Sequence, residues 1–223
     1  MQEHLLSIEH LSVSFDGKIA VKNVSLTLDP GQILAVVGES GSGKSVTAKS
    51  ILRLLPSSYA SGSIRYQDTD LIYLSEKQLL AYRGKEIALI SQDSLSGLNP
   101  TMTVGSQICE AIQSHQKVSS AQARRIAVKK LQDVQLPDPE RMLQRYPHTL
   151  SGGQRQRVMI AMALACEPRI ILADEPTTAL DPTVQLYIQQ ILKELKCEKN
   201  MAIMLITHDL RVAAAVADHI AVM

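Results

Sequence analysis

Residues 38–45 read GESGSGKS, a spacing of glycines ahead of a Lys-Ser pair that suits the holding of an anion. Gly38, Gly41 and Gly43 let the backbone curl until several N–H groups face one point. Glu39, Ser40 and Ser42 stand between them in the same loop. Lys44 then reaches the outer oxygens of a polyphosphate, and the Ser45 hydroxyl is placed to ligate Mg²⁺. Such a pattern carries weight only between a strand and a helix. Here Ile33, Leu34, Ala35, Val36 and Val37 form a short apolar run after Pro30-Gly31, expected to be a buried strand. Downstream, Val46, Ile51, Leu54 and Leu55 fall near helical spacing and are followed by Pro56, so a helix beginning near Lys44 is expected. Its positive dipole end adds to the same anion site. The loop through Val46 is therefore expected to bind a nucleoside triphosphate.

Three further places have residue types suited to the same chemistry. The apolar run Ile170, Ile171, Leu172, Ala173 ends in Asp174-Glu175. A carboxylate at the end of a buried strand is placed to hold Mg²⁺, and Glu175, turned elsewhere by strand alternation, is free to orient a water molecule. Ser151, Gly152, Gly153 and Gln154 form a glycine turn running straight into a helix, with Ser151 as N-cap, and make a second anion site without a lysine of its own. One nucleotide does not need two cradles, so this one suits a neighbour's nucleotide. Gln92 stands just past the apolar run Ile87, Ala88, Leu89, Ile90, and His208 just past the run ending at Thr207. Both fall where open parallel sheets gather ligand contacts. Read alone, Gln92 is a solvated loop residue and His208 a capping or core histidine.

Composition narrows the partners. The 223-residue chain has a formal net charge of +1, with both signs mixed throughout. That is no electrostatic footprint for nucleic acid or an anionic membrane. One Phe and no Trp leave little for stacking single-stranded bases. Cys109, Cys166 and Cys197 are widely spaced and suit a reduced compartment. The amino terminus lacks a basic segment followed by an apolar core, and the longest apolar run, residues 158–166, is too short to span a bilayer. Service to a membrane would run through a partner, from its cytoplasmic side.

The elements that must position these residues follow from periodicity. Leu6, Ile8, Leu11, Val13 and Phe15, then Val24, Leu26 and Leu28, alternate around Asp16-Gly17 and predict a small antiparallel layer. Phe15 near that turn has two readings: core residue, or flat surface for an adenine ring. Another short strand is expected at residues 62–66 and a short helix at 75–82, capped by Ser75. Residues 93–165 change to helical texture, including a basic stretch with Arg124-Arg125 and Lys129-Lys130 that suits a solvated helix face. Strand and helix then alternate to residue 222. An α/β core is expected, residues 1–92 and 166–223, with a mostly parallel sheet and helices on both faces. The antiparallel layer joins it, and residues 93–165 form an inserted helical subdomain.

In their order and spacing these elements resemble the ATP-binding cassette family of transport ATPases over essentially the whole chain. The resemblance makes residues 38–45 the Walker A loop of a P-loop NTPase core, Gln92 the Q-loop glutamine, and residues 150–154 the signature. Asp174 and Glu175 close Walker B, Ala179, Leu180 and Asp181 belong to the D-loop, and His208 is the switch histidine. It implies MgATP as the nucleotide, adenine stacking by Phe15, sensing of Mg²⁺ and of the membrane subunit by Gln92, and sensing of the γ-phosphate by Gln92 and His208. It also implies two cassettes meeting head to tail, with Ser151 and Gly153 contacting the γ-phosphate held by the other.

A narrower resemblance joins residues 91–100, 146–168 and ADEPTTALD to the oligopeptide, dipeptide and nickel importers. Arg83-Gly84 is similar to the first of the two paired ATPases in such systems, and Ser94 departs from the proline usual there. The importer group implies two transmembrane permeases, a second and non-identical ATP-binding subunit, and an extracytoplasmic solute-binding protein reached through the permeases. Met223 falls just after a strand begins, where that group continues, so a truncated or shortened chain is expected. The competing expectation is a soluble cassette ATPase acting on ribosomes or DNA. A single cassette without a charged linker, coiled coil or zinc module argues against it.

Overall fold

A computed structural model of the protein describes residues 4–55, 58–93, 97–178 and 180–223. Three residues named above, Pro56, Ser94 and Ala179, lie outside the described residues. Strands β1 (Leu6–Phe15) and β2 (Lys18–Leu28) are the expected hairpin, turning at Asp16-Gly17. Strand β3 (Ile33–Val37) is buried at every position and leads into the phosphate-type loop and helix α1 (Lys44–Ile51). Strands β4 (Ser58–Tyr66) and β5 (Thr69–Asp70) return to the hairpin and complete an antiparallel sheet of order β2-β1-β4-β5.

A second sheet carries the chemistry. Helix α2 (Glu76–Leu79), with Ser75 as its cap in a reciprocal box with Gln78, precedes β6 (Ile87–Ile90). A block of helices follows: α3 (Val104–His115), α4 (Ser120–Asp133), α5 (Pro139–Met142) and α6 (Gly152–Ala163). The chain returns through β7 (Ile170–Asp174), α7 (Pro182–Lys199), β8 (Ala202–Thr207), α8 (Leu210–Val216) and β9 (His219–Val222). The order is β6-β7-β8-β3-β9, and every pairing is parallel. All five carboxyl ends therefore lie along one edge, where loops from different parts of the sequence meet.

Strand alternation sorts the core. Ala88, Ile90, Ile171, Ala173, Ile203 and Leu205 pack with the helical block, α7 and α8. Their neighbours Ile87, Ile170, Leu172, Ala202, Met204 and Ile206 pack with α1 and the antiparallel sheet. A sheet covered on both faces explains why its strands are nearly unbroken apolar runs.

Helix α1 is shorter than its apolar spacing predicts. It ends at Ile51, with Leu52 as cap and Arg53 in the left-handed region at φ 49°. The reason is remote in sequence: the Arg83 guanidinium donates to the carbonyls of Leu52 at 2.9 Å and Arg53 at 3.3 Å. Those carbonyls are the ones a helix end leaves unsatisfied, and an arginine there also suits the negative dipole end.

A buried ammonium ties the helical block to the sheet. Lys130 on α4 is 2% exposed, donates to Glu167 Oε1 at 2.8 Å and lies 4.0 Å from Asp133. Lys199, at the end of α7, faces the same Asp133 at 3.7 Å. Lys130, by hydrogen bond first and charge second, holds the Glu167 carboxyl below its ordinary value of 4.5. A depressed carboxylate contributes stability that is complete above its unfolded pKa and lost as pH falls towards the folded one. Lys130→Ala is expected to remove about 1–2 kcal/mol near neutrality, since exposed Glu167 can rehydrate. Urea titrations should also show a shallower loss of stability for the variant than for wild type below pH 4.5. Parallel pH profiles of the two proteins would contradict the assignment.

Candidate nucleotide site

The loop after β3 is shaped by contacts that leave no room for side chains at two glycines. Gly43 has φ 97°, and a Cβ there would come within 2.7 Å of the Ala20 carbonyl on β2. Gly38, at φ 156°, would meet the Met223 carbonyl and the Ser42 hydroxyl. Lys44 is 5% exposed, and its Nζ donates to the carbonyls of Gly38 at 2.9 Å and Glu39 at 2.6 Å, and to Ser42 Oγ at 3.3 Å. All three ammonium donors are thus held inside the loop. Glu39, Ser40 and Gly41 are exposed on its outer side, and Val46 is half-buried against the core shared with Ala48 and Ile51.

Asp174, the last residue of β7, is 1% exposed. Ser45 Oγ donates to its Oδ1 at 2.6 Å, crossing the position of β8 between the two strands. Its Oδ2 is buried and has no hydrogen-bond partner among the described residues. A buried ionised oxygen without a donor is costly, and a hydroxyl beside it completes a hard oxygen pair of the kind Mg²⁺ prefers. These two residues fit the ion.

Glu175 departs from the expected geometry. Its direction does not come from strand alternation: the strand ends at Asp174, and Glu175 has φ 49°, a left-handed conformation costing about 1–2 kcal/mol for such a residue. Its N–H donates to the Ile206 carbonyl at 2.9 Å, and its own carbonyl accepts from Thr178 N–H at 3.2 Å. The carboxylate, 15% exposed, meets His208 Nδ1 at 3.1 Å through Oε1. Oε2 accepts from Gln92 Nε2 at 3.3 Å and from Thr178 Oγ1 at 2.7 Å. Gln92 is an exposed loop residue as read alone, yet it also touches this carboxylate, and the exposed His208 is neither core nor cap; Asp209 caps α8, accepting from Arg211 N–H at 2.8 Å. The Arg211 side chain, by hydrogen bond, holds the Asp209 carboxyl down to about 2. Thr178 was not singled out by sequence reasoning, and only its place three residues after Glu175 hinted at it.

The Ser151–Gln154 turn is built as expected at its cap, and no hydrogen bond among the described residues joins it to the loop. Ser151 Oγ accepts from Gln154 N–H at 3.2 Å, and Gln154 Oε1 accepts from Ser151 N–H at 3.1 Å. Ser151 is exposed, Gly153 buried; Arg145 approaches Gln154, Arg157 Nε donates to the Gly153 carbonyl at 3.4 Å, and Gly153 lies against Val184. Phe15 ends β1, pairs with Lys18 and Ser58, and is half-buried against the core beneath the antiparallel sheet.

The description of the ABC transporter family matches residues 21–178 of the chain. The chain belongs to that family. It is 48% identical over 226 residues to the oligopeptide transport ATP-binding protein OppD of Bacillus subtilis (strain 168), covering 98% of this chain and 63% of that one. The dipeptide transport ATP-binding protein DppD of the same organism is 48% identical over 228 residues, covering 99% and 68%. The chain thus spans about two thirds of the length of these relatives. The solved dimeric structure of MJ0796, a bacterial ABC transporter cassette, superposes with a TM-score of 0.88 at 30% identity, over 98% of this chain and 94% of that one. The post-hydrolysis state of the same cassette, bound to ADP and Pi, gives 0.87. The P-loop cassette fold is the one expected. A ribosome- or DNA-directed cassette is not what these transport-named relatives support.

Gly153 supplies a structural test of this edge. A Cβ there would sit 2.9 Å from both methyls of Val184 on α7, and a β-branched side chain cannot swing away freely. Gly153→Ala is expected to destabilise the chain by about 1–3 kcal/mol in urea unfolding. Adding Val184→Ala should recover part of that loss; purely additive losses would contradict the contact.

Proposed function

We propose that this chain is the ATP-hydrolysing subunit of a bacterial importer, powering uptake of peptides or of nickel or metal chelates. The observation that carries this reading is the single sheet edge joining Lys44, the Ser45–Asp174 pair with its unpartnered Oδ2, and Glu175 between Gln92 and His208. The names OppD and DppD favour peptides over nickel.

In this reading the amides of residues 38–46 and Lys44 hold the phosphates of ATP, and Phe15 offers a face to the adenine. Ser45, Asp174 and the Gln92 side-chain oxygen would hold Mg²⁺, which neutralises charge developing on the phosphate oxygens. Glu175 orients the attacking water and takes its proton as the bond to the terminal phosphorus forms and the bridging oxygen leaves with ADP. Gln92 and His208, each already in contact with that carboxylate, sense the γ-phosphate. Ser151, Gly152, Gly153 and Gln154 serve the nucleotide of a second, non-identical ATP-binding subunit. Residues 1–92 and 166–223 act as the nucleotide-binding core and 93–165 as the helical subdomain.

No helix among the described residues is long and apolar enough to cross a membrane. By likeness to the transport ATP-binding relatives, we place the chain at the cytoplasmic face of the cell membrane, on two permeases that receive solute from an extracytoplasmic binding protein, with no role for nucleic acid. A cleft of about 300 Å³ between core and helical block, lined by Leu54, Arg83, Ser91, His115 and Met159, opens beside Gln92 and suits a permease segment.

Lys44→Ala should lower ATP affinity about 10- to 100-fold, the scale of one charge-assisted contact worth about 1.5–3 kcal/mol. Undiminished binding of a fluorescent ATP analogue would remove Lys44 from the site. Glu175→Gln should keep ATP binding and lose hydrolysis by about two to four orders of magnitude. That protein should associate in MgATP, separate in ADP, and associate less when Ser151→Arg is added, as measured by light scattering with and without the second ATPase. Monomers in every mixture, with ATP bound, would defeat the shared-site reading.

A further inference from the structure

The geometry points to Thr178 as the positioning residue that fixes the Glu175 carboxylate, an inference resting on the role proposed for Glu175. Among the described residues, three side chains meet this carboxylate. Gln92 and His208 come from two other strands, are both exposed, and approach no closer than 3.3 and 3.1 Å. Thr178 comes from the same tight turn and makes the shortest contact, 2.7 Å from Oγ1 to Oε2. It is half-buried, and the turn closes on itself through Thr178 N–H to the Glu175 carbonyl.

That turn is itself held. Gln185 on α7 donates from Nε2 to the carbonyls of Thr177 and Leu180, both at 3.2 Å, on either side of Thr178. The preceding residue on α7, Val184, is the one that abuts Gly153. A β-branched side chain on a pinned backbone has few rotamers, so the hydroxyl is presented in one place. A threonine hydroxyl has a single proton to give, and here it goes to Oε2. Gln92 and His208 can move away as nucleotide arrives, while Thr178 keeps Oε2 engaged. Oε1 is left as the oxygen that accepts a proton from water. A glutamate without this tether would sample rotamers pointing away from the reacting water, and small misplacements of a reacting group are costly to rate.

The test uses the full chain and four variants: Thr178→Val, Thr178→Ser, Glu175→Gln, and Thr178→Val combined with Glu175→Gln. Thr178→Val, which keeps shape and loses the hydroxyl, is expected to lower kcat about 10- to 100-fold. KM and ATP affinity should stay within about two-fold, since the hydroxyl does not touch nucleotide in this reading. Thr178→Ser, which restores the hydroxyl, should recover kcat to within about three-fold of wild type. On top of Glu175→Gln, Thr178→Val should change the residual rate by less than about two-fold, because residues acting as one unit are not additive. Thermal melting without nucleotide establishes that each variant is folded. Wild-type kcat in Thr178→Val, alongside an inactive Glu175→Gln, overturns the inference and leaves the reading of Glu175 intact. Serine as impaired as valine overturns it too, by removing the hydroxyl as the agent. An active Glu175→Gln overturns the reading beneath it.

Discussion

Burying a carboxylate at the end of a strand is unfavourable unless donors or a cation compensate it, and among the described residues Asp174 has one side-chain donor, the Ser45 hydroxyl. That one hydrogen bond links the end of β7 to the start of α1 across the intervening β8. Much else at the edge follows from it. Ser45 can reach only if α1 begins where it does, which requires the tight backbone at Gly43 under the Ala20 carbonyl. The antiparallel sheet thus sets the shape of a loop on the parallel one. The oxygen left over, buried and unpaired among the described residues, is one that a hard cation would satisfy.

Glu175 shows the other half of the arrangement. One residue beyond a fully buried position, the chain leaves β7 by a left-handed step held from both sides, to Ile206 and from Thr178. Strain of that kind persists where surrounding contacts over-determine it. The result is that adjacent acids stand in different surroundings. Asp174 stays with the strand and faces inward, whereas Glu175 stands in the edge where Gln92 and His208 can touch it.

Much of this was legible in the residues. The apolar runs located all five strands of the parallel sheet, and the glycine spacing located the loop, because burial on both faces and positive φ leave strong marks on composition. Ser75 and Ser151 were readable as caps for the same reason, since their partners lie three residues away. What escaped was decided between distant residues or by backbone geometry. The early end of α1 depends on Arg83, about thirty positions downstream, and periodicity within one helix cannot register it. Glu175 was expected to turn by strand alternation and turns instead by a left-handed residue, which non-glycine sequence does not announce. Gln92 and His208 had bland readings when taken singly. Their meaning came from the parallel order that puts the ends of β6, β7 and β8 side by side.

The Ser151 turn raises a different question: how Ser151 can cap its own helix and, under the proposed shared site, still serve a phosphate. Its Oγ accepts the Gln154 N–H, and Gln154 Oε1 accepts the Ser151 N–H, so the reciprocal box uses one lone pair of the hydroxyl and leaves its proton free. An exposed hydroxyl with an unspent donor, at the start of a twelve-residue helix, can reach a phosphate oxygen without loosening the cap. Arg145 approaches Gln154 Oε1 from behind at 3.5 Å and helps keep that oxygen on the cap. The turn is also fixed from below, since Gly153 packs on Val184 of α7 while the next residue along, Gln185, grips the turn that carries Thr178. Under the proposed shared site, pressure from a neighbour's nucleotide on Ser151 would bear on the same helix that holds the segment beside Glu175. The physical link between one subunit's phosphate contact and its own water-orienting carboxylate would then be the first turn of a single helix.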